Sequence, residues 1–143
     1  MSPLIDVHRK NLQLAYNFIQ DERILTSNFK SNYQSFAKRL PILIMKNGLI
    51  PTLLFISKKR GKKSENENEF DKISEQILAF FKSISSDFSE CGDINVLIKK
   101  LIDSNDETKL MEFTKRLVDY ASAIKEVSEA YLGGGGDSGP QTP

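Results

Sequence analysis

The stretch from Tyr33 to Lys59, YQSFAKRLPILIMKNGLIPTLLFISKK, decides the fold. With Phe29 ahead of it, its first part repeats apolar residues at steps of three and four, which is the spacing of one helix face. These residues are Phe29, Tyr33, Phe36, Ala37, Leu40 and Ile44. From Leu40 to Ile56 the chain is apolar on nearly every side, as in a helix wrapped by other elements. The stretch therefore predicts a helical core.

Two residues in this stretch predict a tight corner between two helices. Asn47-Gly48 predicts a helix end, because glycine accepts the left-handed conformation that closes a last turn. Pro51 predicts a new helix, since a proline in the first turn removes no intrahelical hydrogen bond. Pro41 lies inside the first helix and predicts a kink there. A basic run, Lys58–Lys63, follows the second helix directly.

The ordered elements of this stretch resemble one known family. They are Tyr33-x-Ser35-x-Ala37-Lys38-x-Leu40-Pro41, then Asn47-Gly48-Leu49, then Thr52-Leu53. This order is similar to that in the small helical subunit of the Cmr-type (type III-B) CRISPR RNA-guided effector complex. The resemblance covers residues 12–60 well and residues 106–130 more weakly, where Ala123 replaces a tryptophan and Glu126 an arginine.

The resemblance implies a function that no composition or periodicity indicates. It implies a non-catalytic subunit that packs along the effector complex in antiviral defence and helps to hold the guide–target RNA duplex, while neighbouring subunits carry out catalysis. The implied partners are the other subunits of the complex, further copies of the same chain, the guide RNA and the target RNA.

Length and composition describe an ordinary globular chain. A chain of 143 residues fits one domain with a real core. The net charge of +1 means that any contact with nucleic acid must come from a local patch. The single cysteine, Cys91, suits a reducing cytoplasm. We expect no secretory signal, and Leu40–Ile56 is too short and too interrupted for a membrane span.

Periodicity along the rest of the chain predicts an all-α fold. The first helix should run from Ser2-Pro3 to about Arg23, and the second from about Ser27 to Lys46. Phe70 to Ile84 carries an apolar stripe over four turns, and two more helices should follow Asp93 and Asp106. We expect a compact bundle of about five to seven helices in a single domain, residues 1–132. The glycine-rich residues 133–143 should form a flexible tail.

Basic residues around the corner are the candidates for RNA binding. Lysine and arginine side chains bind a phosphate backbone through charge and counterion release, although a solvated helix end explains such a run equally well from the sequence alone. No RNA-recognition string of the RRM type is present, so contacts to sugar and phosphate are expected. The candidates are Lys38, Arg39, Lys46, Lys58, Lys59, Arg60, Lys62 and Lys63.

Some apolar residues near the corner are candidates for a protein interface. With a kink in the helix, the whole apolar stretch cannot face one small core, so Ile42, Met45 and Ile50 are expected to meet a partner. The aromatic side chains of the same region are expected in the core instead. They are Tyr16, Phe29, Tyr33, Phe36 and Phe55.

The sequence does not indicate an enzyme, a cofactor or a metal site. His8 is the only histidine, and Cys91 has no partner residue for metal binding or nucleophilic catalysis. Three alternatives remain. A helical protein–protein adaptor without RNA contact fits the near-neutral charge. A helix-turn-helix module fits the corner, but its second helix, Leu49–Ser57, is apolar where a recognition helix needs polar side chains. A helical enzyme is the most distant alternative.

Overall fold

The helices predicted from periodicity are present in the structure. A computed structural model describes residues 3–20, 29–60 and 68–132, and within these ranges it contains six α-helices, one short 3-10 helix and no strand. The elements are α1 (Pro3–Ile19), α2 (Lys30–Asn47), α3 (Leu49–Lys59), α4 (Glu69–Ile84), the 3-10 helix Ser86–Phe88, α5 (Ile94–Asp103) and α6 (Glu107–Tyr131). The predicted all-α fold is confirmed.

The predicted corner is a connection of one residue, Gly48, between α2 and α3. Its N–H donates to the carbonyl of Ile44 at 2.8 Å, and its own carbonyl accepts from the N–H of Thr52 at 3.3 Å, so it caps both helices. Gly48 has φ 93° and ψ 168°. This φ is positive as expected, but ψ is extended rather than left-handed helical. Pro51 lies in the first turn of α3, as predicted.

Two helix ends differ from the sequence-based prediction. The first helix was expected to reach about Arg23, but α1 ends at Ile19, and Gln20 makes the last bond by donating its N–H to the carbonyl of Tyr16. The second helix was expected from about Ser27, but α2 begins at Lys30, and the break between them lies mostly outside the described residues. α2 continues across the buried Pro41, and its kink stays a prediction.

The core lies where α6 packs along α1 and α2 and where α4 and α5 close over α3. The stripe on α4 is buried as predicted, except that its two ends, Phe70 and Ile84, are partly buried. Phe88 of the 3-10 helix and Cys91 after it are buried as well. Tyr33 and Phe36 are in the core. The expectation was wrong for Tyr16 and Phe55, which are 39% and 40% exposed. Both lie at the border of a buried face, where neighbours from other helices decide the exposure.

Side-chain caps fix the starts of α4, α5 and α6. Oδ1 of Asn68 accepts from the N–H of Asp71 at 3.3 Å, while Oδ2 of Asp71 accepts from the N–H of Asn68 at 2.8 Å, which is a capping box. Asp93 and Asp106 cap α5 and α6 by accepting from backbone N–H groups at 3.1 and 3.0 Å. The sequence predicted the starts of both helices, at Asp93 and at Asp106.

The buried face of α4 also carries polar side chains. Tyr33 on α2 donates a hydrogen bond to Oε1 of Gln76, and Tyr120 on α6 is buried beside it. Burial raises the pKa of the Tyr33 hydroxyl and the pKa of the Tyr120 hydroxyl, so both stay neutral. Lys72, one turn before Gln76, is fully buried, with Nζ 3.4 Å from Oε1 of Glu75. The apolar stripe gave no sign of these residues.

Candidate functional surface at the corner of α2 and α3

The outer face of α2 combines cations and apolar side chains. Lys38, Arg39 and Lys46 are exposed, and they alternate with the exposed side chains of Ile42 and Met45 at helical spacing. The opposite face of the helix is buried against α6 and α4. The cations are therefore displayed by a helix that the core holds in place.

The end of α3 supplies the second set of cations. Lys58 and Lys59 are exposed in its last turn, where positive charge also suits the negative end of the helix dipole. Nδ2 of Asn68, the cap of α4, donates to the carbonyl of Lys59 at 2.9 Å. This bond satisfies one free carbonyl of α3 and ties its end to the start of α4.

An aromatic cluster connects the two sets of cations. The rings of Phe36 and Phe55 are stacked with centroids 6.3 Å apart, and Phe70 packs edge-on against both. Cζ of Arg39 lies 5.3 Å from the centroid of Phe36, and Nζ of Lys59 lies 5.8 Å from that of Phe55. Both distances are in the range of cation–π attraction. The structure thus brings Arg39 and Lys59 together around one aromatic cluster.

Arg60 differs from the neighbouring cations. It is half-buried, and its Nε is buried without a hydrogen-bond partner among the described residues. Its side chain is thus directed partly into the protein. The remaining two predicted candidates, Lys62 and Lys63, lie outside the described residues.

The apolar part of this surface is larger than the sequence indicated. Ile42 and Met45 are 59% and 65% exposed, whereas Ile50 is partly buried against the core. On α3, Leu54 and Phe55 are 48% and 40% exposed. The sequence does not reveal this pair as surface residues, because aromatic and aliphatic side chains in an apolar helix are expected in the core. We call the exposed set the corner surface: Lys38, Arg39, Ile42, Met45, Lys46, Leu54, Phe55, Lys58 and Lys59.

The charge of this region is one-sided. Residues 29–60 include seven lysines and arginines and no aspartate or glutamate, while the whole chain has a net charge of +1. The rest of the chain therefore carries a net charge of −6. The near-neutral total conceals a strongly basic segment, and that segment forms α2 and α3.

No arrangement in the described ranges points to catalysis. His8 is exposed on α1, and the thiol of Cys91 is buried. Residues 3–20, 29–60 and 68–132 hold no group of three or more histidine, cysteine or acidic side chains placed to bind a metal. None of the described helices has the length and apolar character needed to cross a membrane.

The fold places the chain in a class of small all-α proteins. It is similar to the crystal structure of a CRISPR-associated Cmr5 family protein from Thermus thermophilus, with a TM-score of 0.65 and 17% sequence identity. The match covers 88% of this chain and 96% of that chain. At this identity the likeness concerns the fold.

The sequence itself identifies the family. Residues 7–131 match the family described as CRISPR-associated protein (Cas_Cmr5). No curated protein matches the chain in sequence. The chain belongs to the Cmr5 family and is a Cmr-type small subunit, which confirms the resemblance drawn from the Tyr33–Lys59 stretch.

Proposed function

We propose that this chain is a non-catalytic subunit of a type III-B effector complex in the cytoplasm and that its corner surface helps to hold the guide–target RNA duplex. In this proposal it packs beside the other subunits and further copies of itself, and the corner surface meets the sugar–phosphate backbone of the RNA. Lys62 and Lys63 follow the same basic run and are included as candidates.

The charge of residues 29–60 is the observation that carries this proposal. Seven basic residues with no acidic neighbour in sequence make α2 and α3 a local cationic region. One exposed cation from each helix, Arg39 and Lys59, packs against the cluster of Phe36, Phe55 and Phe70. A local basic region of this kind binds phosphates without reading the bases.

The test compares RNA affinity with assembly in the same variants. The variants K38A/K46A and K58A/K59A each remove two exposed cations of the corner surface, and K100A/K115A removes two exposed cations from α5 and α6 as a matched control. In the reconstituted complex we expect the first two variants to assemble normally and to bind target RNA more weakly, whatever its sequence. The control should bind like the unchanged protein.

Exposed apolar side chains favour a second candidate function. Ile42, Met45, Leu54 and Phe55 give the corner surface a protein-binding character, so the chain could act as a helical adaptor without RNA contact. If the charge variants keep full RNA affinity, while Ile42→Ser or Met45→Ser prevents assembly, the adaptor function replaces the RNA-binding one.

The absence of catalysis is tested separately. Purified protein incubated with labelled RNA and a divalent metal ion should leave the RNA intact, because His8 is solvated and Cys91 is buried and neither has a catalytic partner among the described residues. Cleavage that co-elutes with the protein and disappears in His8→Ala or Cys91→Ala would overturn this part of the proposal.

A further inference from the structure

A polar cleft lies between α1, the end of α4 and α6, and it shares no residue with the corner surface. Its volume is about 460 Å³. α1 contributes Lys10, Asn11 and Asn17, α4 contributes Ser83, and α6 contributes Arg116. No aspartate or glutamate is among the described residues that line it.

Asn11 is the most buried polar side chain among the described residues that line this cleft. The residue is only 6% exposed, and its carboxamide makes no hydrogen bond to a described residue. Its polar atoms are nevertheless not among the fully buried ones without a partner, so they reach the solvent of the cleft. The amide is therefore available to form hydrogen bonds with a bound group.

Two cations from different helices face the same space. Lys10 is exposed and Arg116 is half-buried, and neither forms an ion pair with a described residue. The hydroxyl of Ser83 donates to the carbonyl of Phe80 at 2.7 Å, so its oxygen remains available as an acceptor. The cleft thus combines positive charge with both donors and acceptors of hydrogen bonds.

We propose that this cleft binds a phosphate ester of nucleotide size. Lys10 and Arg116 would hold the phosphate, since a guanidinium and an ammonium are the usual partners of phosphate oxygens. The volume is within the usual range of small-molecule sites, about 300–1,000 Å³, and is far larger than a single phosphate needs. Leu14 and Ile84 give an apolar wall for the sugar or base, and the amides of Asn11 and Asn17 can bond its polar edges.

The same chemistry has two sources, a free nucleotide or the phosphorylated end of an RNA strand. The proposal does not depend on the function of the corner surface.

The first measurement is a titration of the isotope-labelled full chain with uridine 5′-monophosphate, followed by NMR. We expect saturable shifts of the Asn11 side-chain amide and of Nε–H of Arg116.

Variants test which side chains bind the ligand. Lys10→Gln and Arg116→Gln should each weaken binding about tenfold, the usual effect of one lost charge-assisted hydrogen bond. Asn11→Leu should weaken binding without lowering the melting temperature, because the amide that it removes makes no hydrogen bond to a described residue. Lys115→Gln, next to Arg116 but exposed and outside the cleft, is the matched control and should bind normally. So should K58A/K59A, which separates this site from the corner surface.

Further ligands distinguish the sources and the alternatives. A short RNA that binds only when its end carries a phosphate would support the proposal and assign the strand end, and binding of the mononucleotide alone would support it and assign a free nucleotide. Uridine that binds as tightly as its monophosphate would overturn it. An aspartate-rich peptide that saturates the site, when the nucleotide does not, would also overturn it. An equal loss of nucleotide affinity in Lys115→Gln and Arg116→Gln would also overturn the proposal.

Discussion

The hydroxyl of Tyr33 on α2 donates a hydrogen bond to Oε1 of Gln76 on α4, although 43 positions separate the two residues in the chain. Both side chains are fully buried, and Tyr120 of α6 lies against the same amide. Three helices thus meet at one polar point in an otherwise apolar core. The point is asymmetric, because the hydroxyl of Tyr120 and Nε2 of Gln76 have no hydrogen-bond partner of good geometry among the described residues.

This asymmetry predicts different costs for two similar substitutions. Tyr33→Phe leaves Oε1 of Gln76 buried and unpaired, and should lower the free energy of unfolding by about 1–3 kcal/mol. Tyr120→Phe removes a hydroxyl that lies beside Gln76 without a hydrogen bond of good geometry, and should cost clearly less. Urea denaturation of both variants measures the difference. Equal destabilisation would show that the two hydroxyls have equivalent partners.

The same two tyrosines predict a loss of stability at alkaline pH. Burial raises the pKa of both hydroxyls above the ordinary value of about 10 that they regain in the unfolded chain. Below that pH the two tyrosines are neutral in both the folded and the unfolded chain, and their contribution to the free energy of unfolding is fully present. As the pH rises above it, ionisation favours the unfolded state, so the stability falls.

Spectroscopy checks this prediction directly. Phenolate absorbance from Tyr33 and Tyr120 should appear together with the loss of helical circular dichroism, and the variants Tyr33→Phe and Tyr120→Phe should each lack part of that coupled signal. Ionisation of both residues in a protein that keeps its full helical signal would contradict the burial described here.

Gly48 should tolerate no other residue well. Its φ of 93° with ψ of 168° belongs to a region that only glycine adopts readily. A Cβ on Gly48 would meet only Cδ of Pro51, at 3.7 Å, so the cost comes from the backbone and not from a clash. Gly48→Ala should lower the free energy of unfolding by about 1–3 kcal/mol.

Gly92 provides the matched control for this substitution. Its φ is not positive, and a Cβ there would have no neighbour within 4 Å, so Gly92→Ala should change the stability little. Thermal denaturation of the two alanine variants gives the comparison. A Gly48→Ala protein as stable as Gly92→Ala would mean that the corner relaxes to another conformation.

The salt dependence of RNA binding should report the number of phosphate contacts at the corner surface. For each contact removed, the slope of log affinity against log salt should decrease by about 0.7–0.9. The variant K58A/K59A should therefore have a shallower slope than K100A/K115A. Its stability should change by less than about 0.5 kcal/mol, because both side chains are exposed. An unchanged slope would mean that Lys58 and Lys59 make no phosphate contacts and are only solvated side chains at the end of α3.

The sequence predicted the parts of this protein that depend on local rules. Three predicted features are set by neighbours within a few positions. They are the stripe from Phe70 to Ile84, the helix starts at Asp93 and Asp106, and the corner at Gly48. The burial of Lys72 and Gln76 was missed, because it depends on which helices cover α4. A pattern of apolar residues has no information on distant polar partners.

The candidate site was predicted in outline only. The cations of α2 and α3 stand out in the sequence, and five of them are exposed. Arg39 and Lys59 lie around one aromatic cluster because of the angle between α2 and α3. The spacing of residues along the chain does not determine this angle. The exposure of Phe55 and the inward direction of Arg60 have the same origin.

The single-residue connection at Gly48 also fixes the phase of α3 relative to α2. Each residue of an α-helix advances the direction of its side chain by about 100° around the axis. Insertion or deletion of one residue between Asn47 and Leu49 would therefore turn either the buried face of α3 or its lysines to the wrong side. The length of the corner thus fixes the rotation of α3 about its axis relative to α2. The corner should tolerate substitution of its outward side chains but not a change in its length.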